Sequence, residues 1–420
     1  MESLYPKRNI ICIDLKSFFA SCECVERGLD PFKYPLVVAN PTQGNGAITL
    51  AVTPFLKQLG VKSRGRLFEI PENIKYTIAK PRMSLYIEKS KQVVSIYLDF
   101  VSEEDIYIYS IDECFLDVTN YLKMYKKTDI ELAEEILDAI YKRLGLTVTC
   151  GIAPNMLLAK IAMDIEAKHN QSNIAKWSYE DIKTKLWNIK PLSKMWGIGP
   201  RMEKKLNMLG IYSIGDLAQF DKNILKDKFG VMGVELWNHS NGIDLSVIKD
   251  YKKISKSESY SHSQVLFKDY NENNIKLIIS EMVEVLTERL RKNNKQTTCI
   301  GFGISYSKDI SGGFYHSIKL DTATDSTYEI LKYCLIIFDK FYQYLPIRKV
   351  TICCGGLQKK ECVQLNLFEL EDELKEDKNI NNAIDSIKEK FGKNSLLKAT
   401  NLLEDSTAIE RNKKTGGHYS

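Results

Sequence analysis

Hydrophobic positions in the first 170 residues follow two rhythms. Short, β-rich apolar runs recur at Asn9–Leu15, Leu36–Asn40, Ala47–Val52, Ile106–Ile111, Cys114–Val118 and Val148–Ile152. Between them, apolar residues three and four apart predict helices over Phe18–Arg27, Ser84–Val101, Ile130–Leu144 and Asn155–Lys168. This alternation predicts two β-α-β halves on one sheet. Near Pro191 the texture changes to short helices broken by glycine, in WGIGPRMEKKLNMLGIYSIGDL. The polar stretch KKISKSESYSHSQ, Lys252 to Gln264, reads as a linker or edge strand. A second α+β module follows, with a helix over Asn274–Lys292 and strands near Thr298–Ser305 and Lys349–Cys354. After Gly356 the chain turns polar, with an acidic run from Glu369 to Asp377.

The length, 420 residues, exceeds one ordinary domain. With domains clustering near ~100–150 residues, three or four modules are expected. No apolar run reaches the ~18–20 residues of a membrane span, and MESLYPKRNI has no signal-peptide pattern. A soluble, cytoplasmic protein with no membrane partner is expected. None of the ten cysteines forms a C-x-x-C pair or lies near a His pair at zinc spacing. They read as small buried residues in a reducing compartment. The formal charge is +5, unevenly spread: residues 183–240 hold ten Lys/Arg against five Asp/Glu, residues 358–420 eleven against twelve. A basic body suits a polyanion, although solvated lysines produce the same counts.

Three carboxylates interrupt the β-rich runs: Asp14 in IDLKSFFAS, and Asp112 and Glu113 in YSIDECFLDV. Burying such charges costs several kcal/mol unless something compensates them. A hairpin turn with its acids in water would account for the pair. Strict strand alternation would send Asp112 and Glu113 to opposite faces, so both serve one site only at a turn or bulge. Three carboxylates on neighbouring strands make a hard oxygen site suited to Mg²⁺. Two such ions ~3.5–4 Å apart favour phosphoryl transfer.

IDLKSFFAS followed by YSIDECFLDV resembles the Y-family translesion DNA polymerases, in the UvrX-like branch of the UmuC/DinB group. The resemblance covers about residues 8–357. It implies a multidomain α+β, right-hand polymerase. A ferredoxin-like palm would span 1–33 and 78–170, small fingers 34–77, and a helix–hairpin–helix thumb 171–245. An α+β little finger would follow at 246–357 and a clamp-binding tail at 358–420. Asp14, Asp112 and Glu113 would be the catalytic metal ligands, joined by the backbone carbonyl of Leu15, with two Mg²⁺ ions and Mn²⁺ as a substitute. Phe18 would pack beneath the incoming sugar and base. Phe19 would be the steric gate, its ring excluding a 2′-OH by clash. Two core rings on an amphipathic helix are the alternative. Lys16 departs from the Asp or Asn more common in the family. Lys160, in LLAKIAMD, would reach the triphosphate, or else snorkel to solvent. In TPFLKQLGVKS, Lys57 stands for the usual Arg without its bidentate fork. Pro54 replaces the usual Tyr, and Thr53 is an alternative phosphate contact.

Gly197 and Gly199 would let thumb amides approach a DNA phosphate, with charge from Arg201, Lys204 and Lys205. A plain αα-turn is the alternative. Arg289, Arg291, Lys292 and Lys295 would meet phosphates from the little finger, or form a solvated helix end. QLNLF, with Gln364, Leu365, Leu367 and Phe368, resembles the bacterial sliding-clamp-binding peptide; an amphipathic helix running on through Leu370 and Leu374 is its alternative. Ile380, Ile384, Ile387 and Phe391 keep helical spacing beyond it. The function implied is low-fidelity, template-directed translesion synthesis in the DNA-damage (SOS) response of a bacterial nucleoid. Primer-template DNA, dNTPs and the clamp would be partners, with a UmuD-like regulator or a recombinase as a further one. Two other readings stay open: another two-metal palm enzyme such as a nucleotidyl cyclase, and a non-catalytic clamp- or DNA-binding factor.

Overall fold

The computed structural model describes residues 5–252, 258–360, 371–415 and 418–419. Two compact units are present, Met1–Ile254 with His418–Ser420, and Ser255–Gly417.

The first unit runs β1 (Ile10–Leu15), α1 (Phe18–Val25), β2 (Leu36–Ala39), β3 (Ile48–Val52), α2 (Pro54–Gln58), β4 (Gly65–Arg66), β5 (Thr77–Ala79), α3 (Met83–Leu98), β6 (Ile106–Ile108), β7 (Glu113–Asp117), α4 (Tyr121–Tyr125), α5 (Asp129–Leu144), β8 (Val148–Ala153), α6 (Met156–Ile165) and β9 (Ile174–Lys176). Four helices follow: α7 (Pro200–Asn207), α8 (Ile214–Gln219), α9 (Lys222–Phe229) and α10 (Val231–Ser240). The main sheet has the order β6-β7-β1-β8-β9. β1 lies at its centre, antiparallel to β7 and β8, and is buried on both faces, which is why IICIDL is almost continuously apolar. Ile11 and Ile13 pack with Tyr86, Ile96, Leu132 and Ile136 on one side. Ile10 and Cys12 pack with Leu157 and Ile161 on the other, in a core that continues through Leu206, Ile214 and Leu236.

The single sheet expected for residues 9–152 is two. β2 to β5 form a separate sheet in the order β4-β3-β2-β5. Its parallel partner for β2 is the three-residue β5, too short to leave a periodic signal. Gly151 seats α6 on β8: a Cβ there would lie 2.0 Å from the Ala159 carbonyl oxygen and 2.6 Å from the Met163 nitrogen.

The second unit contains β10 (Tyr260–Tyr270), α11 (Ile275–Lys292), β11 (Lys295–Tyr306), β12 (Gly313–Thr324), α12 (Thr327–Phe341), β13 (Ile347–Gly355), β14 (Gln358–Lys359), α13 (Glu371–Phe391) and α14 (Ala408–Asn412). Its sheet, β10-β13-β11-β12, is antiparallel and has β10 at one edge. Ile278, Met282, Ile337 and Phe338 from α11 and α12 bury one face against Ile300, Phe302 and Ile352. By strand alternation the other face carries Ser261, Ser263, Gly301, Gly303, Ser305 and Thr351, with Lys319 and Lys349 in register beside them. Tyr315 lies over the two glycines: a Cβ on Gly301 would sit 2.1 Å from its hydroxyl.

Candidate active site

Asp14, next to last in β1, lies directly opposite Glu113, the first residue of β7. Asp112 sits in the bend before β7, and there the local geometry departs from strand alternation. The Ser110 hydroxyl shapes that bend. It donates to Asp112 Oδ1 at 2.8 Å and accepts from the Glu113 amide at 3.1 Å. The Leu15 amide donates to the Asp112 carbonyl at 3.0 Å, tying the bend to the strand carrying Asp14. The three acids therefore occupy one end of adjacent strands, as a shared site demands.

Charge crowding follows. Burial raises the Asp14 pKa to about 7; nearby Lys168 opposes the shift, and a hydrogen bond to Glu113 with the charges of Glu113 and Asp112 reinforces it. Two lysines compensate the cluster. Lys168 Nζ lies 3.1 Å from Asp14 Oδ2 and 2.8 Å from Asp164 Oδ1. Lys160 Nζ bonds the Glu113 carboxylate and lies 3.1 Å from Asp164 Oδ2. Burial disfavours the Lys168 cation, yet Asp14 and Asp164 outweigh it and its pKa is raised. Among the described residues no group of three His, Cys, Asp or Glu side chains stands arranged to hold a metal ion. The donor chemistry nonetheless fits a hard divalent cation: carboxylates pressed together, with cations already neutralising them.

A cavity of about 690 Å³ opens beside the acids, lined by Asp14, Asp112, Phe19, Lys57, Arg64 and Lys168 among others. Leu15, Lys16 and Phe18 also border it. Two expected phosphate contacts lie elsewhere. Lys160 is only 5% exposed, does not border the cavity, and is committed to Glu113 and Asp164. Thr53 is fully buried and its hydroxyl accepts from the Leu36 amide at 3.2 Å. Lys168, which the sequence does not single out, reaches the cavity beside Lys16 and Lys57. Its signal is the four-residue ladder Lys160, Asp164, Lys168.

Phe18 is 3% exposed and belongs to the core, whereas Phe19 is half-buried at the cavity wall. Phe19 stacks on Tyr86, with ring centroids 4.5 Å apart and planes 17° from parallel. Tyr86 is fully buried, and its hydroxyl donates to Glu23 Oε1 at 2.7 Å. Glu23, also fully buried, accepts from Arg82 Nε at 3.0 Å and Nη2 at 2.8 Å, and pairs with Arg27. The ring at the wall is thus backed by a second ring, itself pinned by a buried charge network. Neither Tyr86 nor Glu23 stands out in the sequence.

On the helical hairpin, Gly197 has φ 91° and Gly199 caps α7, with open space where either Cβ would lie. Arg201, Lys204 and Lys205 are exposed. In the second unit the basic cluster is largely occupied. Arg291 forms a two-pronged pair with Asp385 of α13, at 2.6 and 3.0 Å, and Lys292 lies 2.8 Å from Glu389. Lys295 pairs with Glu258 at 2.6 Å, and the Arg289 guanidinium stacks 4.1 Å from the Tyr260 ring centroid. Arg291 and Lys292 are therefore not free phosphate contacts; an acidic helix has taken them. Gln364, Leu365, Leu367 and Phe368 lie outside the described residues. The nine described cysteines are free, and no helix among the described residues is long and apolar enough to cross a membrane.

A strand-borne acid cluster facing a cation-lined cavity, followed in sequence by a helical hairpin, defines a phosphoryl-transfer class. Comparison with known proteins makes it specific. Residues 13–164 match the impB/mucB/samB family, residues 179–211 the HHH motif of that family, and residues 257–367 its C-terminal domain. The chain is 40% identical to the putative UV-damage repair protein UvrX of Bacillus subtilis (strain 168), over 100% of this chain and 99% of that protein. It is 33% identical to DNA polymerase IV 2 of the same organism, over 99% of this chain and all of the relative. A solved Y-family DNA polymerase chimera shares the fold, with TM-score 0.67, 22% identity, and coverage of 84% of this chain and 99% of that one. The chain belongs to the impB/mucB/samB family, the Y-family DNA polymerases.

Proposed function

We propose that this polymerase performs low-fidelity, template-directed translesion synthesis, joining a dNTP to a primer 3′-OH, and that a sliding clamp recruits it. The observation that carries the reading is the convergence of Asp14, Asp112 and Glu113 beside a cavity bordered by Phe19, Lys57, Arg64 and Lys168. Asp14, Asp112, Glu113 and the Leu15 carbonyl would hold two Mg²⁺ ions, or Mn²⁺ in their place, which when bound activate the attacking oxygen and stabilise the leaving one. Lys57, Arg64 and Lys168 supply positive charge for the triphosphate. The Phe19 ring, backed by Tyr86, denies room to a 2′-OH. Residues 1–33 and 78–170 are assigned as palm, 34–77 as fingers, 171–245 as thumb, 246–357 as little finger, and 358–420 as the clamp-binding tail. The thumb offers Gly197 and Gly199 amides, with Arg201 and Lys204, to DNA phosphates. In the little finger the open sheet face, small-residued and flanked by Lys319 and Lys349, suits a duplex better than the occupied Arg291 and Lys292. The name of the Bacillus subtilis UvrX relative supports a role in damage tolerance.

Primer extension on lesion-bearing and undamaged templates tests the reading. Wild type extends and Asp112→Ala does not. Inactivity of wild type on every template, with Mg²⁺, Mn²⁺ and clamp supplied, would overturn it, and a cyclic nucleotide product would favour a cyclase. Replacing Gln364, Leu367 and Phe368 with Ala abolishes stimulation by the clamp; stimulation left intact removes the clamp assignment.

A further inference from the structure

Lys16 lies between the metal-ligand candidates and the gate, and the function above gives it no role. Its main chain is pinned on both sides. The Lys16 amide donates to the Thr147 carbonyl at 2.9 Å, and the Ser21 hydroxyl donates to the Lys16 carbonyl at 2.6 Å. Its ammonium donates to the Asn173 side-chain oxygen. Asn173 is itself fixed: it holds a left-handed φ of 59°, which asparagine tolerates, and its carbonyl accepts from the Cys150 amide of β8 at 2.8 Å. A neutral amide therefore orients the Lys16 cation without cancelling its charge. Among the described residues neither Lys16 nor Lys57 forms an ion pair with a carboxylate.

Lys16, Lys57, Arg64 and Lys168 all border the same cavity. Lys57 and Lys168 repel the Lys16 cation, while Asp14, already paired with Lys168, attracts it. Cations gathered at one cavity in excess of its free acids, Lys16, Lys57 and Arg64 having no carboxylate partner among the described residues, mark a place for a multiply charged anion. An apolar or neutral ligand would leave that repulsion standing.

We propose that Lys16 is a binding residue for the polyphosphate of the incoming nucleotide, held in place by Asn173, so that this chain grips the phosphates from the β1–α1 link as well as from α2 and the segment after α6. The inference rests on the polymerase reading. Its consequence is separable from sugar selection, because Lys16 precedes the gate and its ammonium is held by Asn173 rather than by the Phe19–Tyr86 stack.

Single-nucleotide insertion kinetics on Lys16→Met, with Asn173→Ala in parallel, tests it. The KM for dNTP should rise about tenfold or more in Lys16→Met, the loss expected for one charge-assisted hydrogen bond. The inhibition constant for pyrophosphate should rise with it, the dNTP-to-rNTP preference should hold, and Lys16→Arg should recover most of the loss. Asn173→Ala should move the same two constants less. Lys16→Gln replaces Lys16→Met if the latter does not fold. Unchanged KM and pyrophosphate inhibition, in a preparation where wild type extends and Asp112→Ala does not, would overturn the role of Lys16 and leave the polymerase reading intact. A fall in kcat and thermal stability alone, with pyrophosphate inhibition unmoved, would also overturn it, because that is what a tether for the 170–174 segment would give. Failure of wild type to extend would instead remove the reading on which the inference rests.

Discussion

Replacing Glu23 with Gln tests whether the wall of the nucleotide cavity depends on a buried charge. Glu23 is fully buried on α1, the helix that carries Phe18 and Phe19. Three donors converge on its carboxylate: Tyr86 at 2.7 Å, Arg82 through Nε at 3.0 Å and Nη2 at 2.8 Å, and Arg27. Burial alone would raise its pKa, but Arg82, Arg27 and Tyr86 outweigh burial and hold it below the usual carboxylate range. Glu23→Gln keeps the shape, removes the charge, and turns an amide NH₂ towards a guanidinium. Breaking a buried pair costs ~3–5 kcal/mol. Both arginines keep access to water, with side chains 38% and 44% exposed, so the lower end applies. A loss of about 3 kcal/mol corresponds to a fall of roughly 6–12 °C in the melting transition of a unit this size. Scanning calorimetry measures it. Insertion kinetics supplies the second readout: with the arginines no longer balanced by a carboxylate, the network behind Tyr86 loosens, the ring behind Phe19 loses its support, and the dNTP-to-rNTP preference drops. A shift below about 1 °C would refute the energetic argument. A full shift with unchanged sugar preference would refute the link between the network and the gate.

Three further outcomes follow from the structure. Phe19→Ala should raise relative rNTP insertion on the order of 100-fold, the discrimination an apolar wall exerts on one hydroxyl; an unchanged ratio in insertion assays removes the gate role. Gly151→Ala drives a Cβ to 2.0 Å from the Ala159 carbonyl oxygen, where only backbone can give way. It should cost about 3 kcal/mol in urea unfolding, and a cost below 1 kcal/mol would show that α6 is not seated as described. In the second unit, burial, then the charges of Arg411 and Lys393, lower the His262 pKa from 6.5 to about 4, against a backbone hydrogen bond with Met282. Between those values the unfolded chain binds a proton that the folded chain refuses, so stability falls as pH drops through the window. The drop is ~3 kcal/mol for a fully buried ring and nearer ~2 kcal/mol for this partly exposed one. Urea midpoints at neutral and mildly acidic pH should show it in wild type and lose it in His262→Asn; parallel curves would refute it.

Local pattern determined much of this protein. Continuous apolar runs marked β1 and β8, and three- and four-residue spacing marked α3, α5 and α6, because burial on two faces or one stripe writes itself directly into residue order. The acids were legible for the same reason: charge inside an apolar run is costly enough to be conspicuous. The demand that Asp112 sit at a turn followed from strand alternation alone, and the bend at Ser110 supplies that turn. What the sequence could not carry was partnership. β12 leaves no apolar alternation to read because it is mostly exposed, with one face open, so its pattern is polar. Arg291 looked free because Asp385, its partner, lies 94 residues away. Lys168 and Asp14 are separated by 154 residues, and nothing local to either announces the other. Folding decided which lysines border the cavity, which basic residues an acidic helix would cover, and which ring would stand behind Phe19. Those choices depend on pair contacts between distant segments, and only closing the chain into its tertiary structure brings such pairs within reach of one another.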